Sequence, residues 1–152
     1  MNDFTHFIDA QAKLYATAVA ELRAGRKREH WIWFVFPQLP GLGSSTTSER
    51  FAIAGVATAR AYLAHAILGS RYRECVDVVY DQVCMRHRTL VVLMGSQVDA
   101  LKLVSSLTLF ADVAEKLPQF SALAERANSI LDVAETQGVP RCQRTMDVLD
   151  DE

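Results

Sequence analysis

The chain has 152 residues, enough for one domain with a real core and short for two. Half of them are hydrophobic, 22% are charged and the formal net charge is −2. That is an ordinary globular balance, and it excludes a general nucleic-acid binder, which needs a strongly basic surface. The cysteines are Cys75, Cys84 and Cys142, an odd number with no C-x-x-C spacing. Neither a disulfide framework nor a zinc site is expected, no cofactor is implied, and the reducing cytoplasm fits. Asp3, His6 and Asp9 stand where a signal peptide would be basic and then apolar. The longest apolar run, Trp31 to Phe36, is far below the ~20 residues of a membrane helix.

In chain order, Phe4, Phe7, Ile8, Leu14, Tyr15, Ala18 and Leu22 recur at helical steps and predict a helix over about 3–24, ending near Gly25. Residues 31–36 read as a strand or a buried helix, which periodicity cannot separate in so short a run. Pro37, Pro40, Gly41 and Gly43 end that element. Ser48 is the expected N-cap of a short helix through Phe51 and Ile53. Helices are predicted over 57–66 and about 69–84, with Arg86-His87-Arg88 as a polar joint. Residues 89–94 are apolar and β-branched, so local propensity reads them as a strand, stopped by Gly95. A strong helix follows over 97–115, with Val98, Leu101, Val104, Leu107, Leu109 and Phe110 as its buried stripe. Pro118 separates it from a helix at about 119–134, and Thr145 to Leu149 form a last short one. Two short strand-like runs cannot build a normal sheet, so the chain reads as mostly α.

Two segments carry candidate chemistry. The first is Arg26-Lys-Arg-Glu-His-Trp-Ile-Trp-Phe-Val-Phe-Pro-Gln-Leu-Pro-Gly-Leu-Gly-Ser-Ser45. Trp31, Phe34 and Phe36 read as core, since large aromatics anchor small cores. Gln38, fixed between Pro37 and Pro40, is placed to read a donor/acceptor edge or to serve structure. The glycine loop after it lacks the spacing and the Lys-Ser/Thr of a P-loop. The second segment is Asp99-Ala-Leu-Lys-Leu-Val-Ser-Ser-Leu-Thr108. On a helix it sets Asp99 beside Lys102, and Lys102 beside Ser106. A surface ion pair, with hydroxyls bonded back to the helix, is the plainer alternative. The four histidines are scattered without metal-ligand spacing, and no known catalytic motif is present.

These two segments, with Ala59-Arg-Ala-Tyr-Leu-Ala-His-Ala-Ile-Leu-Gly-Ser-Arg-Tyr-Arg-Glu-Cys75 between them, resemble the bacterial family named domain of unknown function 1810. The resemblance spans nearly the whole chain in order. It implies an all-α, compact single domain over 1–152, of about seven helices, orthogonal rather than a simple up-down bundle. It overrides the local strand reading. It implies no activity. A calpastatin label carried by some members finds no support in these residues. The family's polar signature falls on Lys27, His30, Trp33, Gln38, Ser44, Arg71, Glu74, Asp99, Lys102, Ser105, Ser106 and Thr108. Ala57-Thr58 and Cys142 depart from it, the latter standing where members tend to have an Asp three residues before the threonine aligned with Thr145.

The 30–45 segment is expected to lie against the 99–108 helix, where Trp33, Gln38, His30, Lys102, Ser105 and Ser106 would line a pocket. An aromatic face, an amide and a lysine suit a nucleotide-like or ADP-ribose-like ligand. Lys27, Ser44, Arg71 and Thr108 join the ligand-binding candidates. In an enzymatic version Asp99 or Glu74 is the general base and His30 the proton shuttle, for hydrolysis of a glycosidic bond. The alternative is a non-catalytic interaction or structural module. No metal and no membrane are expected.

Overall fold

Helix α1 (Thr5–Ala24) stops where Gly25 takes φ 89°, a left-handed conformation that glycine adopts without a Cβ penalty. The amides of Gly25 and Arg26 then close on the carbonyls of Leu22 and Glu21, both at 3.1 Å. The chain reverses there and carries residues 26–31 back along the molecule. The structure is a computed structural model that describes residues 2–152.

The aromatic run folds into a single helical turn, α2 (Ile32–Val35). After the Pro/Gly segment comes α3 (Thr46–Arg50), capped by Ser45 rather than by Ser48 as expected. The Ser45 hydroxyl accepts the Ser48 amide at 3.1 Å, and the Ser48 hydroxyl donates back to the Ser45 carbonyl at 2.7 Å. A run of five capping residues left the choice open to sequence reading. Helices α4 (Val56–Ala64) and α5 (Ala66–Tyr80) meet at His65, whose Nδ1 accepts the amides of Ile67 and Leu68. Gly69 lets α5 approach this corner, since a Cβ there would run into the Leu63 carbonyl. A π-helical turn (Asp81–Met85) extends α5.

The local strand reading of 89–94 is corrected: Leu90–Met94 form helix α6. Thr89 caps it by accepting the Val92 amide, and Gly95 ends it at φ 83°. Leu90, Leu93 and Met94 face inward at helical spacing while Val92 is exposed. Packing overrode β-propensity, and the cap residues agreed with the packing. Helix α7 (Gln97–Glu115) follows, capped by the Ser96 hydroxyl on the Asp99 amide at 3.1 Å. Its residues 103–111 are buried all round, so α7 runs through the centre of the fold. The expected stripe began too early, because Val98 and Leu101 are exposed. A 3₁₀ turn (Pro118–Phe120), α8 (Ser121–Thr136) and α9 (Gln143–Asp150) complete the chain.

Among the described residues there are nine α-helices and no strand, close to the seven expected. Helices α2, α4, α6, α8 and α9 all pack on α7, and α1 packs on α2 and α5. Tyr62, Tyr72 and Phe110 meet at the centre, with ring centroids 4.5 Å apart for Tyr72 and Phe110. Trp31, Phe34 and Phe36 are buried, as the sequence indicated. No helix among the described residues is long and apolar enough to cross a membrane.

Candidate functional site

Glu21 sits in the last turn of α1, where the helix dipole disfavours an anion. It is satisfied from outside the helix: its Oε1 accepts the amides of Arg28 and Glu29 and the Trp31 indole N–H, at 2.9, 3.1 and 2.8 Å. Its burial acts to raise its pKa, but these donors and Lys27 outweigh it and the carboxyl ends below its usual range. The Lys27 amide bonds the Leu93 carbonyl at 2.7 Å, tying the same turn to α6. Together these contacts turn the Lys27 side chain inward.

Lys27 is the most buried lysine of the site, with 5% of its side chain exposed. Its Nζ donates to the Glu29 carbonyl at 2.6 Å, pairs with Asp99 Oδ2 at 2.8 Å and lies 5.0 Å from the Trp31 ring centroid. The other carboxylate oxygen of Asp99 pairs with Lys102 Nζ at 3.3 Å. Lys102 in turn places its ammonium 4.3 Å from the Trp33 ring centroid. The expected i,i+3 pair is therefore one half of a three-charge cluster in which one carboxylate serves two ammonium groups. Partial burial acts to raise the Asp99 pKa, but Lys27 and Lys102 outweigh it and hold the carboxyl below its usual value. A carboxylate held ionised in this way is a weak general base at neutral pH. Trp33 is half-buried, and Gly43 passes so close that a Cβ there would lie 2.7 Å from Trp33 Cη2.

Lys27, Trp33, Asp99 and Lys102 are thus brought together, and the 30–45 segment lies on α7 at Trp33. Gln38 is buried, its carbonyl accepts the Ile53 amide at 2.8 Å, and its side-chain Oε1 has no donor. His30 and Ser44 are exposed. Ser106 points into the core, fully buried, with its hydroxyl 2.9 Å from that of Tyr72. Glu74 accepts the Tyr15 hydroxyl and pairs with Arg23 at 3.7 Å, while Arg71 bonds Gln11 at 3.3 Å and lies over the Tyr15 ring. No hydrogen bond or ion pair joins Asp99, His30 and Glu74 to one another.

Ser105 and Thr108 belong to a separate cluster where α7 meets α9. Both hydroxyls donate back to helix carbonyls, of Leu101 at 3.0 Å and Val104 at 2.7 Å. Thr108 Oγ1 also accepts the Cys142 amide at 3.3 Å. Arg144 of α9 packs over Gly41, where a Cβ would lie 2.5 Å from Nη2, so α9 reaches the Pro/Gly segment. Sequence reasoning missed Glu21 and the Cys142 surroundings. An acid at the wrong end of a helix was the available signal for the first.

A cleft of about 830 Å³ between α1, α5 and the π-helical turn includes none of Lys27, Trp33, Asp99 or Lys102. It is open, and its Arg23, Arg73 and Arg86 are matched by Glu74, Asp77 and Asp81, which leaves no charge preference. Among the described residues no three His, Cys, Asp or Glu side chains are placed to hold a metal ion.

Comparison with known proteins gives two findings. A crystal structure of the conserved hypothetical protein Rv1873 from Mycobacterium tuberculosis superposes with a TM-score of 0.79 at 39% identity, covering 95% of this chain and 94% of that one. No curated protein matches. The model of a family described as "Protein of unknown function (DUF1810)" matches residues 1–137, which takes in the Lys27–Asp99–Lys102 cluster and stops short of Cys142. The chain belongs to the DUF1810 family, whose function is unknown.

Proposed function

We propose that this protein binds a nucleotide-like or ADP-ribose-like anion at the Trp33–Lys102 face and does not hydrolyse it. The observation that carries the reading is the partly exposed Lys102 ammonium over a half-buried indole, with Asp99 as its one ion-pair partner. Lys102 holds Asp99 at 3.3 Å, more loosely than Lys27 does at 2.8 Å, and its side chain is 22% exposed. It is the cation free to take a phosphate, with Lys27 and Asp99 as its support. Gln38 adds a second argument, since a buried acceptor without a donor is costly and a ligand N–H or O–H would satisfy it. His30 and Ser44 are exposed in the same segment and would contact the polar end of the ligand. Hydrolysis is left out because the three candidate catalytic groups are not joined and Asp99 is held as an anion. Three unpaired cysteines fit a reducing cytoplasm, where such ligands are abundant.

The second reading is a protein-interaction module. Exposed Val98 and Leu101 on one face of α7 and Val92 on α6 favour it. A thermal-shift panel of ADP-ribose, ADP, adenosine and pyrophosphate separates the two. At a hundred times Kd, binding should raise Tm by about 5–10 °C for a domain of this size. ADP and ADP-ribose are expected to do so, adenosine much less, and Lys102→Ala to abolish the shift. A flat response across the panel would leave the interaction module standing.

A further inference from the structure

Two buried side-chain polar atoms among the described residues have no hydrogen-bond partner, Gln38 Oε1 and Thr145 Oγ1. They belong to the two elements that meet at Gly41. Gln38 lies three residues before Gly41, and Thr145 follows Arg144, whose guanidinium covers Gly41. Buried polar groups are ordinarily bonded, and two vacancies flanking one contact mark a place for a polar ligand. We propose that Arg144 and the first turn of α9 form a second anion subsite beside the Trp33–Lys102 face, and that the ligand is therefore a diphosphate, with one phosphate on Lys102 and the other on Arg144. This inference rests on the reading of that face as a nucleotide site.

Arg144 is an exposed cation that the fold leaves unused. Arg141, three residues earlier, is engaged by Asp132 and Glu135, and Asp147, three residues later, accepts from Gln143 Nε2 at 2.8 Å. Arg144 itself makes no ion pair and no side-chain hydrogen bond among the described residues. The first turn of α9 is open as well. Cys142 at the N-cap supplies no side-chain hydrogen bond, and Met146 is the first residue of the helix whose amide finds a carbonyl, that of Cys142 at 3.0 Å. The amides of Gln143, Arg144 and Thr145 are left without an acceptor, and the helix dipole adds positive potential there. Thr145 is wholly buried and stands third in the helix, where a side chain slants back toward the N-terminus.

The two subsites share the glycine loop. Gly43 lies against Trp33, and Gly41 lies against Arg144. Two residues of extended chain span at most about 7 Å, so both contacts are within reach of one diphosphate and two long cationic side chains. Trp33 in turn carries the Lys102 ammonium 4.3 Å from its ring centroid. Entry of a phosphate between the loop and α9 requires Arg144 to swing off Gly41, and no ion pair holds it there. The guanidinium then meets the phosphate as a planar, bidentate donor, with the open amides and the Thr145 hydroxyl behind it.

Calorimetric titration of the full chain with AMP, ADP and ADP-ribose tests this. ADP and ADP-ribose should bind the wild type roughly tenfold tighter than AMP. Arg144→Gln should remove most of that ratio, weakening ADP roughly tenfold and leaving AMP within about twofold, whereas Lys102→Ala should weaken all three. Arg144 is exposed, so its replacement should leave the urea midpoint unchanged, and Arg144→Lys should recover part of the ADP affinity. ADP bound no tighter than AMP, equal ADP affinity in wild type and Arg144→Gln, or an equal loss for AMP and ADP in that variant would each overturn the second subsite while leaving the Trp33–Lys102 reading in place. A wild type that binds none of the three would overturn both.

Discussion

Replacing Asp99 by asparagine keeps the shape of the side chain and removes the charge that two lysines share. Lys27 then keeps its ammonium beneath the surface with the Glu29 carbonyl as its remaining partner at 2.6 Å. Breaking a fully buried pair costs about 3–5 kcal/mol, and an exposed pair about 0–1. With 5% of the Lys27 side chain and 18% of the Asp99 side chain exposed, the site lies between these limits. We expect a loss of about 2–3 kcal/mol, or roughly 4–12 °C in Tm for a domain of this length. Lys27→Met removes the buried charge instead of its partner and leaves Asp99 paired with Lys102, so it should cost about 0–1 kcal/mol. In the Lys27→Met background Asp99→Asn should cost about 1–2 kcal/mol less than alone. The pH dependence has a definite sign. The Asp99 pKa is depressed below 3.8 in the folded state. Its stabilisation is therefore complete above that value and lost as pH falls through the folded-state pKa. Urea melts at pH 7 and through the acid range measure both effects. Asp99→Asn within about 0.5 kcal/mol of wild type at pH 7, or equal acid sensitivity in the two proteins, would refute the cluster as described.

Gln38→Met should stabilise the free protein by about 1 kcal/mol, because it removes an acceptor that has no donor, and should abolish ligand-induced shifts; urea melts with and without ADP-ribose check both. Ser106→Ala should cost about 1–2 kcal/mol by leaving the buried Tyr72 hydroxyl unpartnered, and should leave the ligand response intact, as calorimetric titration would show. Gly69→Ala should cost about 3 kcal/mol or more in the same urea assay, since the added methyl meets backbone rather than a mobile side chain.

The long helices were legible because their apolar residues keep one period over many turns, as in α1 and α7. The short elements were not. Residues 89–94 carry strand propensity, and only Thr89 and Gly95 as caps hinted at α6. At the site, the Asp99–Lys102 pair followed from helix spacing alone. Lys27 did not, because its burial depends on Glu21 gathering the Arg28 and Glu29 amides and the Trp31 indole N–H across 7, 8 and 10 residues of chain. Ser106 was indistinguishable in sequence from Ser105, yet one meets the Tyr72 hydroxyl in the core and the other donates back to the Leu101 carbonyl. Adjacent residues stand about 100° apart around a helix, and which of them faces the core is set by what packs on α7. The Cys142 environment combines α7 and α9, and no local pattern connects those residues.

Tryptophan fluorescence during titration with ADP-ribose tests the central claim most directly. Trp31 is fully buried and bonded to Glu21, while Trp33 is half-buried under the Lys102 ammonium. A ligand that pairs with Lys102 must change the emission of Trp33. The account predicts a saturable change that disappears in Trp33→Phe and in Lys102→Ala. A saturable change that persists in Trp33→Phe would place the ligand elsewhere, and no change at millimolar ADP-ribose would contradict the binding function itself.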